Sequence, residues 1–131
     1  MAKIKRYARR PGRPSKYMAR QVIDYSLGMR FASQHEHDVY VELLARQQAG
    51  EIFDLKFQVK YELIPPKYGP PGPRGGRGTI IERGVNYIAD FTYIDSDGAL
   101  HVLDSKGYRT DAYIIKRKLM LDRYGIHVEE V

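Results

Sequence analysis

Two short alternating runs either side of an Asp-Gly turn limit what this chain can fold into. In Tyr87–Ile94 an extended backbone sends Tyr87, Ala89, Phe91 and Tyr93 one way and Ile88, Asp90, Thr92 and Ile94 the other. In Leu100–Lys106 one face takes Leu100, Val102, Asp104 and Lys106, and the other takes His101, Leu103 and Ser105. β-Branched and aromatic residues dominate both runs and Asp97-Gly98 separates them, so an antiparallel hairpin is expected. Its register matters, because a slip of one residue reverses every side chain. A two-residue Asp97-Gly98 loop would set Asp90 opposite Ser105. A three-residue loop, Ser96-Asp97-Gly98, closes the strands at Asp95 and Ala99 if Gly98 takes the left-handed conformation that suits glycine. Asp90 then faces Asp104, Thr92 faces Val102, and Ile88 faces Lys106. This closure gathers two carboxylates and a lysine on one otherwise apolar face.

Carboxylates directly opposite each other on a sheet repel unless a cation sits between them. Hard oxygen ligands with open positions suit Mg²⁺, with Mn²⁺ as a substitute, because Mg²⁺ binds few protein carboxylates and completes its shell with water and substrate phosphate. Lys106 is placed to orient or activate a water and to offset phosphate charge. The plainer alternative is a ladder of Asp and Lys that keeps a strand soluble, since a lone D-x-K is common by chance.

At 131 residues the chain is expected to form one domain with its own core. Cysteine is absent, which excludes a disulfide framework or thiolate metal site and fits a reducing compartment such as the cytoplasm. No apolar run approaches membrane-spanning length and the start lacks the apolar core of a signal peptide, so no membrane partner is expected. The net charge of +6 is unevenly spread: residues 1–20 hold eight Lys/Arg and no acid, leaving 14 basic and 16 acidic residues, a net −2, in the rest. A near-neutral body with a basic arm is a device for holding polyanions.

Residues 1–16 are too polar to pack and read as a disordered basic arm that binds DNA through Arg9, Arg10, Arg13 and Lys16. Within them Pro11-Gly12-Arg13-Pro14 is similar to the Gly-Arg-Pro core of an AT-hook, with Pro11 where arginine is usual; a generic basic tail is the commoner case. Residues 17–131 are expected to be a single domain. Arg20–Asp24 and Gly28–Ala32 pattern as a short hairpin, though Met18–Leu27 also carries helix signals. Ser33–Ala49 is the clearest helix, with Ser33 as N-cap, Glu36 completing a capping box to the Ser33 N–H, and Gly50 as the stop. Glu36 also lies on the stripe of Val39, Tyr40 and Leu43, so it either caps only or faces the sheet from the first helical turn as well. His35 and His37 have no metal-ligand spacing with a partner on their face and read as helix-surface residues.

Glu51–Ile64 alternates as a long strand, with Phe53, Leu55, Phe57, Val59, Tyr61 and Leu63 on one apolar face and Gln58 on the polar one. Residues 65–78, rich in Pro, Gly and Arg and free of acid, read as a mobile basic loop whose Arg74 and Arg77 contact DNA. Pairing is expected to resume at Thr79–Ile81. Thr110 caps a last helix over Asp111–Arg123, ended by Gly125, with an apolar seam of Ile115 and Leu119 widened by Ile114 and Leu121. Its Lys116 and Lys118 are candidate phosphate contacts. Ile126–Val131 is expected to add an edge strand.

Helix-borne Glu36, then Asp90, then Asp104-Ser105-Lys106 resembles the order of motifs in the PD-(D/E)XK nuclease superfamily. The runs F-A-S-Q-H-E (31–36), D-L-K-F-Q-V-K-Y-E-L (54–63), Y-I-A-D-F (87–91) and D-S-K-G-Y-R-T-D-A-Y-I-I-K-R-K-L (104–119) resemble a small family of phage-encoded proteins, a domain of unknown function placed in that superfamily. The resemblance spans about residues 17–131. It implies a restriction-endonuclease-like α/β fold: a mixed central sheet flanked by helices. It further implies that Asp90, Asp104 and Glu36 hold a metal ion together with the Ser105 carbonyl, that Lys106 is the lysine of the motif, and that Gln58 stands where the family tends to have glutamine. Ala89-Asp90 replaces the Pro-Asp of the motif, and Asp104 its commoner Glu. The implied activity is Mg²⁺-dependent endonucleolytic cleavage of DNA, double-stranded and branched like a Holliday junction, by a homodimer in the cytoplasm of a phage's host. The reading from a different class is a non-catalytic DNA-binding accessory protein of phage replication or recombination.

Overall fold

The computed structural model describes residues 20–106 and 108–131, so the basic arm with Arg9, Arg10, Arg13 and Lys16 lies outside the described residues. The first element is a hairpin of β1 (Val22–Asp24) and β2 (Met29–Phe31), which settles the hairpin-or-helix alternative for this stretch. Asp24 Oδ1 closes its turn by accepting from the backbone N–H groups of Ser26 and Leu27. Helix α1 (Gln34–Gln48) follows, with Ser33 Oγ accepting from the Glu36 N–H at 3.1 Å, as the capping signal predicts. Gly50, at φ 76°, ends the helix in the left-handed conformation.

Strand β3 (Ile52–Ile64) leads into a small ribbon in which β4 (Lys67–Tyr68) pairs with β5 (Ile80–Glu82). The Pro/Gly/Arg segment is therefore rooted in a ribbon, not suspended as a structureless loop. Gly69 N–H donates to Thr79 O at 2.8 Å, and the Arg77 guanidinium lies 4.6 Å from the centre of the Tyr68 ring. Gly78 is required for close approach: a Cβ there would sit 2.4 Å from the carbonyl oxygens of Gly69 and Pro70.

Strands β6 (Val85–Asp95) and β7 (Leu100–Asp104) form the hairpin read from the sequence. Asp95 N–H donates to Ala99 O at 2.9 Å and Gly98 has φ 83°, the three-residue closure. Thr92 pairs with Val102 and Phe91 with Leu103, as that closure requires. Helix α2 (Asp111–Tyr124) is capped by Thr110 and ended by left-handed Gly125, and β8 (Glu129–Glu130) pairs in parallel with β7. The result is a mixed four-stranded sheet ordered β3-β6-β7-β8, with two helices, the α/β architecture expected. His101 pins the hairpin end to the edge strand by bonding Asp95 and Glu129, each at 2.7 Å.

The two faces of the sheet carry separate cores. Leu43 of α1 packs with Ile52, Phe91, Tyr93 and Leu103, whereas Tyr113 and Met120 of α2 pack with Leu63, Tyr87, Ala89, Val102 and Val128. Neighbours Val102 and Leu103 on regular β7 belong to different cores, so these lie on opposite faces. Ala89 and Phe91, two residues apart, should then share a face, but they do not. The same holds on β3, where the Phe57 ring meets Tyr40 of α1 and the Tyr61 ring meets Tyr124 of α2. The alternation reverses at Gln58, which has φ 54° and stands between the pairs Phe57–Phe91 and Val59–Ala89, across from Asp90. The single apolar face expected of β3 is therefore divided between the two cores, and Phe53, at its start beyond a second left-handed residue (Asp54, φ 55°), is 50% exposed.

The seam of α2 also differs from expectation. Ile115 and Leu121 are exposed, while Tyr113 and Met120 are buried, with Ile114 and Leu119 partly so. Tyr113 and Met120 are two helical turns apart and reach further than an isoleucine into the gap beside Tyr87, so they take the inward positions.

Candidate active site

Asp104 ends β7 with only 1% of its surface exposed. Its Oδ2 accepts a 2.6 Å hydrogen bond from the Tyr87 hydroxyl. Its Oδ1 is buried without a hydrogen bond, although Lys106 Nζ stands 3.1 Å away. The ammonium is near enough for charge pairing but is not aligned as a donor. It also lies 4.6 Å from the centre of the Tyr113 ring, so the lysine is held between a carboxylate and an aromatic face. Burial, first, and then the bond to Asp104 push the Tyr87 phenol well above its ordinary range, so it remains a neutral donor.

Asp90 lies half-buried at the reversal, and its Oδ2 accepts from the Ser105 backbone N–H at 2.8 Å. Burial, then the charge of Asp104, then that of Glu36, raise its pKa to about 7 against the opposing pull of Ser105 N–H and Lys106. The ladder between β6 and β7 ends at Phe91–Leu103, one residue short of the expected Asp90–Asp104 pair, but Asp90 is bonded to the residue next to Asp104 and feels its charge.

Glu36, in the first turn of α1, is 3% exposed. Its Oε2 accepts from the Ala32 N–H at 2.7 Å, not from the Ser33 N–H that a standard capping box would use. Its charge also acts on Asp90, so it both bonds the chain ahead of the helix and contributes to that acid's surroundings. Gln58 has an exposed side chain and marks the reversal across from Asp90.

The expected opposition of Ile88 and Lys106 is not formed. Pairing of β6 with β7 reaches only to Phe91–Leu103, and Ile88 is 57% exposed. Because the alternation reverses, Tyr87 and not Ile88 comes to the Asp104 side. Tyr87 is the site residue that sequence reasoning missed. No periodicity marks the reversal; a tyrosine in a strand core, whose hydroxyl must find a partner, was the one available hint.

Among the remaining candidates, Arg74 and Lys118 are exposed, Lys116 is half-buried and Arg77 is stacked on Tyr68. Arg117 bonds Glu130 and Arg123 bonds Leu63 O, so both serve the fold. His35 bonds Val131 O and His37 bonds Asp24, tying both histidines into internal contacts. Beside Lys106 opens a cleft of about 520 Å³, lined by Lys106, Tyr108, Arg109, Glu130 and Val131.

Among the described residues no group of three or more His, Asp or Glu side chains is placed to hold a metal ion. Mg²⁺ does not require one, since one or two carboxylates with water and phosphate satisfy it. The orphaned Oδ1 of Asp104 beside a second, charge-averse carboxylate is a donor set that fits such an ion. No helix among the described residues is long and apolar enough to cross a membrane.

The sequence model of the family described as "Protein of unknown function (DUF1064)" matches residues 14–129. No curated protein and no solved structure matches the chain.

Proposed function

We propose a nuclease reading for this chain, which belongs to the DUF1064 family: a divalent-metal-dependent DNA endonuclease of the PD-(D/E)XK type. The observation that carries it is Asp104 Oδ1, buried and without a hydrogen bond, with Asp90 and the Lys106 ammonium around it. A buried carboxylate oxygen without a hydrogen bond is costly. With only the Lys106 ammonium against it, such an atom suits a divalent cation as well.

Asp90 and Asp104 would hold Mg²⁺ or Mn²⁺, with the Ser105 carbonyl and Glu36, directly or through water, completing the protein's share. When bound, the ion supplies Lewis-acid stabilisation of the phosphate and lowers the pKa of a water. Lys106 orients the attacking water and offsets charge developing on the scissile phosphate. The cleft beside Lys106, lined also by Tyr108, Arg109, Glu130 and Val131, is the proposed path for a strand. Arg74 and Arg77 on the ribbon and Lys116 and Lys118 on α2 are the described cations offered to phosphates, and Arg9, Arg10, Arg13 and Lys16 supply the arm. Branched DNA is the proposed substrate and a homodimer the proposed form, because resolving a junction takes two cuts.

A second reading has its own observation. Glu36 is committed to the Ala32 N–H, and no three-acid cage is formed among the described residues, as suits a non-catalytic DNA-binding accessory protein. Cleavage of a labelled four-way junction and of linear duplex in Mg²⁺ decides between them. Metal-dependent product from the junction, lost in Asp104→Asn, supports the nuclease. Binding of both DNAs with no product in any divalent metal supports the accessory protein.

A further inference from the structure

The geometry points to Tyr87 as a positioning residue that holds the Asp104 carboxylate so that Oδ1 alone is offered to a divalent cation. This rests on the metal site proposed above, but not on what that site cleaves.

A free carboxylate can chelate an ion with both oxygens or rotate between them. Here the Tyr87 hydroxyl occupies Oδ2 at 2.6 Å, while Oδ1 carries no hydrogen bond and has the Lys106 ammonium 3.1 Å away as its charge partner. The phenol cannot swing aside: Tyr87 is 3% exposed and its ring packs 6.4 Å, centre to centre, from that of Tyr113. Tyr113 in turn carries the Lys106 ammonium over its face. One aromatic pair therefore fixes both the acid and the lysine. A neutral donor suits the task, because it orients the carboxylate without cancelling the charge a cation needs, as an arginine or lysine in its place would. The reversal of alternation at Gln58 and Asp90 is what delivers Tyr87 to this side of the sheet. Partners of this kind, which bond a ligand's second atom, typically tune metal affinity by 10- to 100-fold.

The test is Mn²⁺ binding followed by electron paramagnetic resonance on the full-length protein without DNA, for the wild type, Tyr87→Phe and Asp104→Asn. Urea unfolding confirms that each is folded, and DNA affinity in EDTA serves as a readout that a merely structural change would alter in parallel. Binding by the wild type, loss in Asp104→Asn, and an affinity about 10- to 100-fold weaker in Tyr87→Phe with unchanged DNA affinity would bear the assignment out. Tyr87→Phe binding Mn²⁺ within twofold of the wild type, with binding still lost in Asp104→Asn, overturns the role of Tyr87 and leaves the metal site standing. A wild type that binds no Mn²⁺, or an Asp104→Asn variant that binds it equally well, removes the site itself and the assignment with it. If Tyr87→Phe does not fold, 4-fluorophenylalanine at 87 fills the volume of the hydroxyl without donating, and its Mn²⁺ affinity is judged by the same outcomes.

Discussion

Asp90 is a carboxyl whose surroundings oppose its charge: burial and Asp104 raise its pKa from 3.8 to about 7. Its protonated form therefore contributes stability that is complete below about pH 4 and is lost as the pH rises through about 7. The metal-free protein is expected to be less stable at pH 8 than this group allows at pH 5. Asp90→Asn keeps an oxygen for the Ser105 N–H and removes the charge. It should gain on the order of 2 kcal/mol over the wild type at pH 8 in EDTA and much less at pH 5, after discounting for partial exposure. Urea unfolding at the two pH values checks this, and an equal gain at both would show that Asp90 titrates normally. The same residue shows how much of the site was legible. Asp90, Asp104 and Lys106 could be placed near one another from sequence because Ser96-Asp97-Gly98 can close as a three-residue turn, and that closure sets the register as far as Phe91–Leu103. Tyr87 could not, because period-two reasoning assumes a regular strand through Asp90.

The elements follow local chemistry wherever that chemistry is sufficient. Ser33, Thr110, Gly50 and Gly125 mark the helix ends where the structure has them, since caps and left-handed stops act within one turn. What escaped local reading was set by packing between elements: the inward side of α2, and the reversal that shares β3 and β6 between two cores. Gln58 is the visible sign of that reversal. A non-glycine residue at φ 54° carries a backbone cost of about 1–3 kcal/mol, which persists only because the aromatic packing on either side demands it. Gln58→Gly should therefore fold with stability close to the wild type, while Gln58→Val, whose branched side chain resists this conformation, should lose about 2 kcal/mol. A larger loss in Gln58→Gly than in Gln58→Val would mean that the strand is regular there. Phe91, fully buried against Tyr40 and Phe57, anchors the α1 core, and Phe91→Ala is expected to cost about 3–5 kcal/mol by denaturant unfolding.

At the scale of the whole molecule, charge and chemistry are segregated. The body of the chain is slightly acidic, while the first 20 residues hold eight of the 22 basic residues. An arm of this kind contributes affinity through counterion release and leaves the geometry of the acids untouched. Deleting residues 1–16 should weaken DNA binding and flatten its dependence on salt, read as the slope of log affinity against log salt, without changing Mn²⁺ affinity. An undiminished slope would place DNA binding on the body instead. The central claim is that Asp90, Asp104 and Lys106 form a metal-dependent hydrolytic site. Its most direct test is nicking of supercoiled plasmid by the wild type, Asp104→Asn and Lys106→Ala in Mg²⁺ or EDTA. Relaxed or linear DNA is expected only from the wild type in Mg²⁺, with at least a 100-fold loss of rate in either variant. Intact plasmid under every condition, or cleavage undiminished by both substitutions, would contradict it.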